Sequence, residues 1–132
     1  MSKQQAKIDA MIIDVETTNE NEMLKKITVL DDLATFYLKL HCDTIDIVDR
    51  RIGNKYFTLI IDDNGLLKEN NRTSIIDINR MPMIVGNVII CHADENGELI
   101  SLDDEDYEIL EDHAYWVTYE DGKTGIVIQA TY

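Results

Sequence analysis

Seven carboxylates between Asp103 and Asp112 form the densest cluster of reactive side chains in the sequence. On a helix turning about 100° per residue, Asp104, Glu105, Glu108, Glu111 and Asp112 share one arc, with Asp103 leading into it. Leu102, Tyr107, Ile109 and Leu110 take the other side. Asp106 falls among those apolar positions, which implies either a shorter helix or a place at its exposed edge. Seven charges over about 14 Å of axis, at about 1.5 Å per residue, is on the order of one per 2 Å. Duplex DNA carries one per about 1.7 Å. Such a row could fill a nucleic-acid-binding groove on another protein. It could equally be a solvated face that keeps a small protein dispersed.

The second group of interest is basic. Arg72 and Arg80 are the only bases between Lys68 and Lys123, and Asn70, Asn71, Thr73 and Ser74 surround them. An arginine among amides and hydroxyls can grip a phosphate or carboxylate. Alternatively, Arg72 pairs locally with Asp77 or Glu69 to limit repulsion.

Other chemistry finds little footing. Asp94-Glu95-Asn96-Gly97-Glu98 and Asp62-Asp63-Asn64-Gly65 look superficially like calcium loops, but the glycine comes at the fourth position rather than the sixth. Both read better as turns. His41-Cys42 and Cys91-His92 offer nitrogen and sulfur, yet adjacent strand residues point to opposite faces, so no metal site is expected. No phosphate loop, nucleophile elbow, Cys-x-x-Cys or His-Glu-x-x-His occurs, and neither catalysis nor a cofactor is expected.

The charge balance limits the partners. The 132 residues carry 26 acids and 12 bases, a net of −14. Residues 1–93 hold 14 acids and 11 bases, whereas residues 94–132 hold 12 acids and only Lys123. Direct binding to nucleic acid or an anionic membrane is therefore disfavoured, and basic protein surfaces are the expected partners. The stretch Met81–Cys91 is too short to span a bilayer, and no apolar leader is visible near Met1. Two cysteines suit a reducing compartment, and a cytoplasmic location is expected.

The elements that must hold these residues suggest an α+β fold in one domain, 1–132. Four turn signals (Gly53-Asn54, Asn64-Gly65, Asn96-Gly97 and Asp121-Gly122) separate apolar runs, which predicts a mostly antiparallel sheet built from hairpins. Strands are predicted at Ile8–Val15, Ile45–Arg50, Tyr56–Asp62, Asn87–Cys91, Tyr115–Tyr119 and Ile126–Ala130, with a short one at Ile27–Val29. Alternation over Ile45–Arg50 predicts one wet sheet face. A first helix should run from Asp31 or Asp32 to about His41, burying Leu33, Phe36, Tyr37 and Leu40. A second should start at Ser101, with Asp104 completing an acidic capping box, and end near Asp112. The polar stretch Lys68–Arg80 reads as a loop. Exposed sheet edges and a C-terminal hairpin make a homodimer feasible.

Several of these segments resemble a family of unknown function. They are Ile45–Lys68 ending in Ile61-Asp62-Asp63-Asn64-Gly65-Leu66-Leu67, then Asn71-Arg72, and Ile84-Val85-Gly86-Asn87-Val88-Ile89-Ile90. Asp94-Glu95-Asn96-Gly97-Glu98 and Ser101-Leu102-Asp103-Asp104-Glu105-Asp106 complete the set. The resemblance covers roughly residues 8–112 and leaves the Tyr115–Tyr132 hairpin as an elaboration. It implies a small acidic protein of Gram-positive bacteria, their phages, plasmids or conjugative elements, without assigning an activity. Such accessory proteins often disable host enzymes or defence systems. The expected function is a non-catalytic inhibitor whose acidic arc imitates DNA. The alternative is a sponge for a signalling nucleotide, using Arg72 and Arg80 for phosphate and Tyr56, Tyr115 or Trp116 for the base.

Overall fold

The structure is a computed structural model and describes residues 7–65, 68 and 71–132. Strand β1 (Lys7–Ile13) pairs antiparallel along its whole length with β2 (Leu24–Leu30). The strand expected only at Ile27–Val29 is longer because β1 supplies a full-length partner, which local propensity does not reveal. Helix α1 (Leu33–Leu40) leads to β3 (Ile45–Ile52) and β4 (Lys55–Asp62), joined by a tight turn in which Gly53 takes a φ of 64°. The chain then crosses to a second sheet for β5 (Thr73–Ile76) and β6 (Pro82–Val85). It returns to the first for β7 (Val88–Ala93) and β8 (Leu99–Ile100). Helix α2 (Asp104–Asp112) and the hairpin β9 (Ala114–Thr118) and β10 (Thr124–Gln129) follow.

The first sheet has the order β2-β1-β7-β4-β3, with β8 attached to β7, and the second β6-β5-β10-β9. Pairing is antiparallel except between β5 and β10. The fold is α+β and mainly antiparallel, as the turn signals predict. Three of the four signals close hairpins. Asn64-Gly65 does not: β4 and β5 belong to different sheets, and this turn carries the chain between them. Glycine is required at position 65 because a Cβ there would collide with the Val85 carbonyl oxygen.

Three further expectations are corrected. The stretch Lys68–Arg80 is not all loop, since Thr73–Ile76 is β5, held between β6 and the distant β10. The first sheet does not have a wet face at its centre. Ile8, Ala10, Ile12, Ile60, Ile89 and Cys91 pack beneath Phe36 and Leu40 of α1. On the other face Met11, Ile13, Leu59, Val88 and Ile90 join Ile75, Ile84 and Ile128 of the second sheet and Tyr107 and Leu110 of α2. The outer β3 does not follow the alternation of its sequence either: Ile47 is half exposed, Asp46 beside it is exposed as well, and Val48, Arg50 and Ile52 are the more covered set. Leu33 is also exposed, so the apolar stripe of α1 narrows to Phe36 and Leu40 with Tyr37 at its margin.

Candidate functional site

Helix α2 starts two residues later than its sequence suggests. Asp103 is the N-cap: its side chain accepts from the Asp106 amide at 2.9 Å, and the Asp106 carboxylate accepts from the Asp103 amide at 2.9 Å. This is a reciprocal capping box with carboxylates at both positions. Ser101, the expected cap, instead accepts from the Asp9 amide at 2.9 Å and ties the helix entry to β1.

Asp106 is neither beyond the helix nor at its exposed edge. It is 2% exposed, and its Oδ1 lies 2.8 Å from Lys55 Nζ and 2.9 Å from His92 Nε2. Burial by itself would push this carboxyl up. Hydrogen bonds from His92, Lys55 and the Asp103 amide outweigh burial and bring it down to about 2. His92 is held in turn by stacking on Phe57 at 4.8 Å between ring centroids. Helix α2 is therefore fixed to β4 and β7 by a buried charge as well as by Leu102, Tyr107 and Leu110.

That anchoring leaves the remaining acids outward. Asp103, Asp104, Glu105, Glu108, Glu111 and Asp112 are all exposed, and among the described residues none is ion-paired. The predicted arc is present as one face of a short helix whose other face is locked down. The carboxylates of the first turn, Asp104 and Glu105, also suit the positive end of the helix dipole.

The basic residues do not converge. Arg72 precedes β5 and Arg80 follows it, so the strand holds them at opposite ends. The Arg72 Nη1 donates to the Val15 carbonyl at 2.9 Å and Nη2 to Asp121 at 2.8 Å, with the guanidinium above the Tyr119 ring. Tyr119 lies across Gly125 to donate to the Thr73 carbonyl at 2.9 Å. The partner of Arg72 is thus Asp121, 49 residues away, rather than Asp77. Asp77 is occupied in its own turn, accepting from the amides of Asn79 and Met81. Glu69 and Asn70 lie outside the described residues. Asn71 staples backbone, donating to the Gly65 carbonyl at 2.8 Å and accepting from the Arg72 amide at 3.0 Å.

Arg80, at a φ of 63°, lines a cavity of about 210 Å³ with Ile76, Tyr115, Trp116, Val117 and Gln129. Tyr56 stands on β4 in the other sheet and takes no part in that cavity. Cys91 is buried in the core beneath α1, and burial pushes its thiol up to about 12. Its neighbour His92 faces α2.

A family model described as Domain of unknown function (DUF3846) matches residues 8–114. The chain belongs to the DUF3846 family. No curated protein and no solved structure matches it. The match ends at the first residue of β9, so most of the C-terminal hairpin lies beyond it. In this DUF3846 chain the hairpin is nevertheless part of the core: Val127, Ile128 and Ala130 are buried, and β10 supplies the parallel neighbour of β5.

Sequence reading misses Lys55 and His92 as anchors of the acidic helix, and Tyr119 and Asp121 as the seat of Arg72. One signal was available: Asp103-x-x-Asp106 fits a capping box as well as Ser101-x-x-Asp104 does. The Lys55–Asp106 contact spans 51 residues and leaves no local trace.

Proposed function

We propose that this DUF3846 protein is a non-catalytic, cytoplasmic accessory protein whose α2 face docks on a basic groove of a nucleic-acid-handling protein. In this reading it is carried by a phage or mobile element and inhibits a host or defence protein by imitating DNA. The observation that carries it is the outward arc of Asp103, Asp104, Glu105, Glu108, Glu111 and Asp112, free of ion pairs among the described residues. Mimicry needs charges at fixed spacing, and the buried Asp106 anchor supports that rigidity. The test is a pull-down from a bacterial host lysate, eluted stepwise with salt. A nucleic-acid-handling protein released at moderate salt is expected, and it should be lost when Asp104, Glu105, Glu108 and Glu111 become Asn or Gln. Capture that is insensitive both to salt and to these substitutions would sink the proposal.

One observation favours a second reading, a sponge for a signalling nucleotide. Arg80, Tyr115, Trp116 and Gln129 share one cavity, combining a charge, ring faces and an amide. Arg72, committed to Asp121 and Val15, contributes nothing there. A nucleotide panel checks it: ligand at 100 times its dissociation constant stabilises the fold by about 2.7 kcal/mol. An unchanged melting temperature across the panel would rule it out.

A further inference from the structure

Among the described residues, β2, β3, β6 and β9 form the outer edges of the two sheets, and the first three carry the features that discourage further pairing. β2 exposes Lys25 and Lys26. β3 carries Asp46, Asp49, Arg50 and Arg51, and Arg51 is already bridged through both backbone groups to Thr131. β6 begins with Pro82 and ends under Gly65. The fourth, β9, reads Ala-Tyr-Trp-Val-Thr, without a charge, a proline or a bulge.

Its free side can be derived from the ladder. Tyr119 donates to the Lys123 carbonyl at 2.9 Å and Gln129 to the His113 carbonyl at 3.0 Å, which makes 119–123 and 113–129 hydrogen-bonded pairs. Such pairs alternate along an antiparallel ladder, so Tyr115 and Val117 also bond to β10. The amides and carbonyls of Ala114, Trp116 and Thr118 therefore point outward, and no described strand pairs with them. Tyr115 is 44% and Trp116 57% exposed.

We propose that β9 is a strand-addition site, and that its occupant is an extended segment of a partner protein with an apolar, β-branched centre and basic flanks. Charge selects this occupant. Glu111 and Asp112 lie before β9 and Glu120 after it, while Asp121 beyond is already paired with Arg72. A second copy pairing antiparallel about Trp116 would set Asp112 against Glu120 at both ends, between chains of net −14 each. Lysines or arginines at those positions meet opposite charge. The inference extends the docking of α2 and rests on that reading for the sign of the partner's charge. Only His113 separates α2 from β9, so the two lie next to each other along the chain.

The test uses the full chain and synthetic peptides with a Thr-Val-Tyr-Val-Thr centre between lysine pairs. One peptide is unmodified and two are N-methylated at alternate residues, one on each set. The unmodified peptide should bind. One methylated form should lose at least about tenfold in affinity, since its amides faced β9, while the other keeps its affinity. Trp116→Pro, which removes an outward amide but none that bonds β10, should lose binding to the same degree. If that variant fails to fold, the methylated pair still decides.

Equal affinity of all three peptides would overturn strand addition. Should that common affinity also fall with salt and with the Asp104, Glu105, Glu108 and Glu111 substitutions, docking of the acidic face would survive alone. If methylation acts but those substitutions do not, strand addition stands and the acidic-face reading falls. Concentration-dependent dimers of the wild type that Trp116→Pro abolishes would assign the edge to a second copy and overturn the basic partner.

Discussion

The two helices are of almost equal length and cover opposite faces of the same sheet, yet they are held there by different means. α1 has no acidic residue and sits on the sheet through Phe36 and Leu40, with Leu33 56% and Leu38 74% exposed. α2 has seven acids around it, six of them outward, and adds to Tyr107 and Leu110 a buried carboxylate paired with Lys55 and His92. Amphipathic burial alone is enough for the nearly neutral helix. A helix with this much negative charge on one face gains a charge-paired foothold on the other, where the same residue type that repels elsewhere becomes an attachment.

That contrast can be broken from either side. Phe36→Ala should cost about 3–5 kcal/mol, since α1 has little else to hold it, and should lower the urea midpoint accordingly. Asp106→Ala should cost about 3 kcal/mol, because it leaves the largely buried His92 without its partner and removes half of the capping box. The stability that Asp106 contributes depends on acidity. Its folded carboxyl titrates at about 2, below the ordinary carboxylate range. Its contribution, about 2 kcal/mol, is therefore complete above about pH 4 and lost as pH falls through about 2. Urea midpoints of the wild type and Asp106→Asn should accordingly converge as the solution is acidified over that range. Equal spacing at every pH would show that packing, not charge, anchors α2. The smallest effect is expected at the outward acids. Neutralising Asp104, Glu105, Glu108 and Glu111 should change stability by no more than about 1 kcal/mol, the lost helix-dipole attraction offsetting the relieved repulsion.

Much of this was legible in the residues. Gly53-Asn54, Asn96-Gly97 and Asp121-Gly122 each encode a hairpin, because their local backbone preferences act before any tertiary contact exists. The acidic arc of α2 follows from helical periodicity, and the cap at Asp32 from its own side chain, which accepts from the Thr35 amide at 2.6 Å.

What the tertiary structure alone decided involves residues far apart in sequence. Thr73–Ile76 became a strand because β6 and β10 flank it, and the alternation of β3 misreported the sheet because α1 and the second sheet cover both central faces. Arg72 was assigned to Asp121 and separated from Arg80 by β5, and Asp106 was turned inward by Lys55 and His92. Local propensities fix turns, caps and periodicity because they depend on neighbouring dihedral angles. Whether a charge faces water or a buried partner depends on which distant side chains the sheets bring to it.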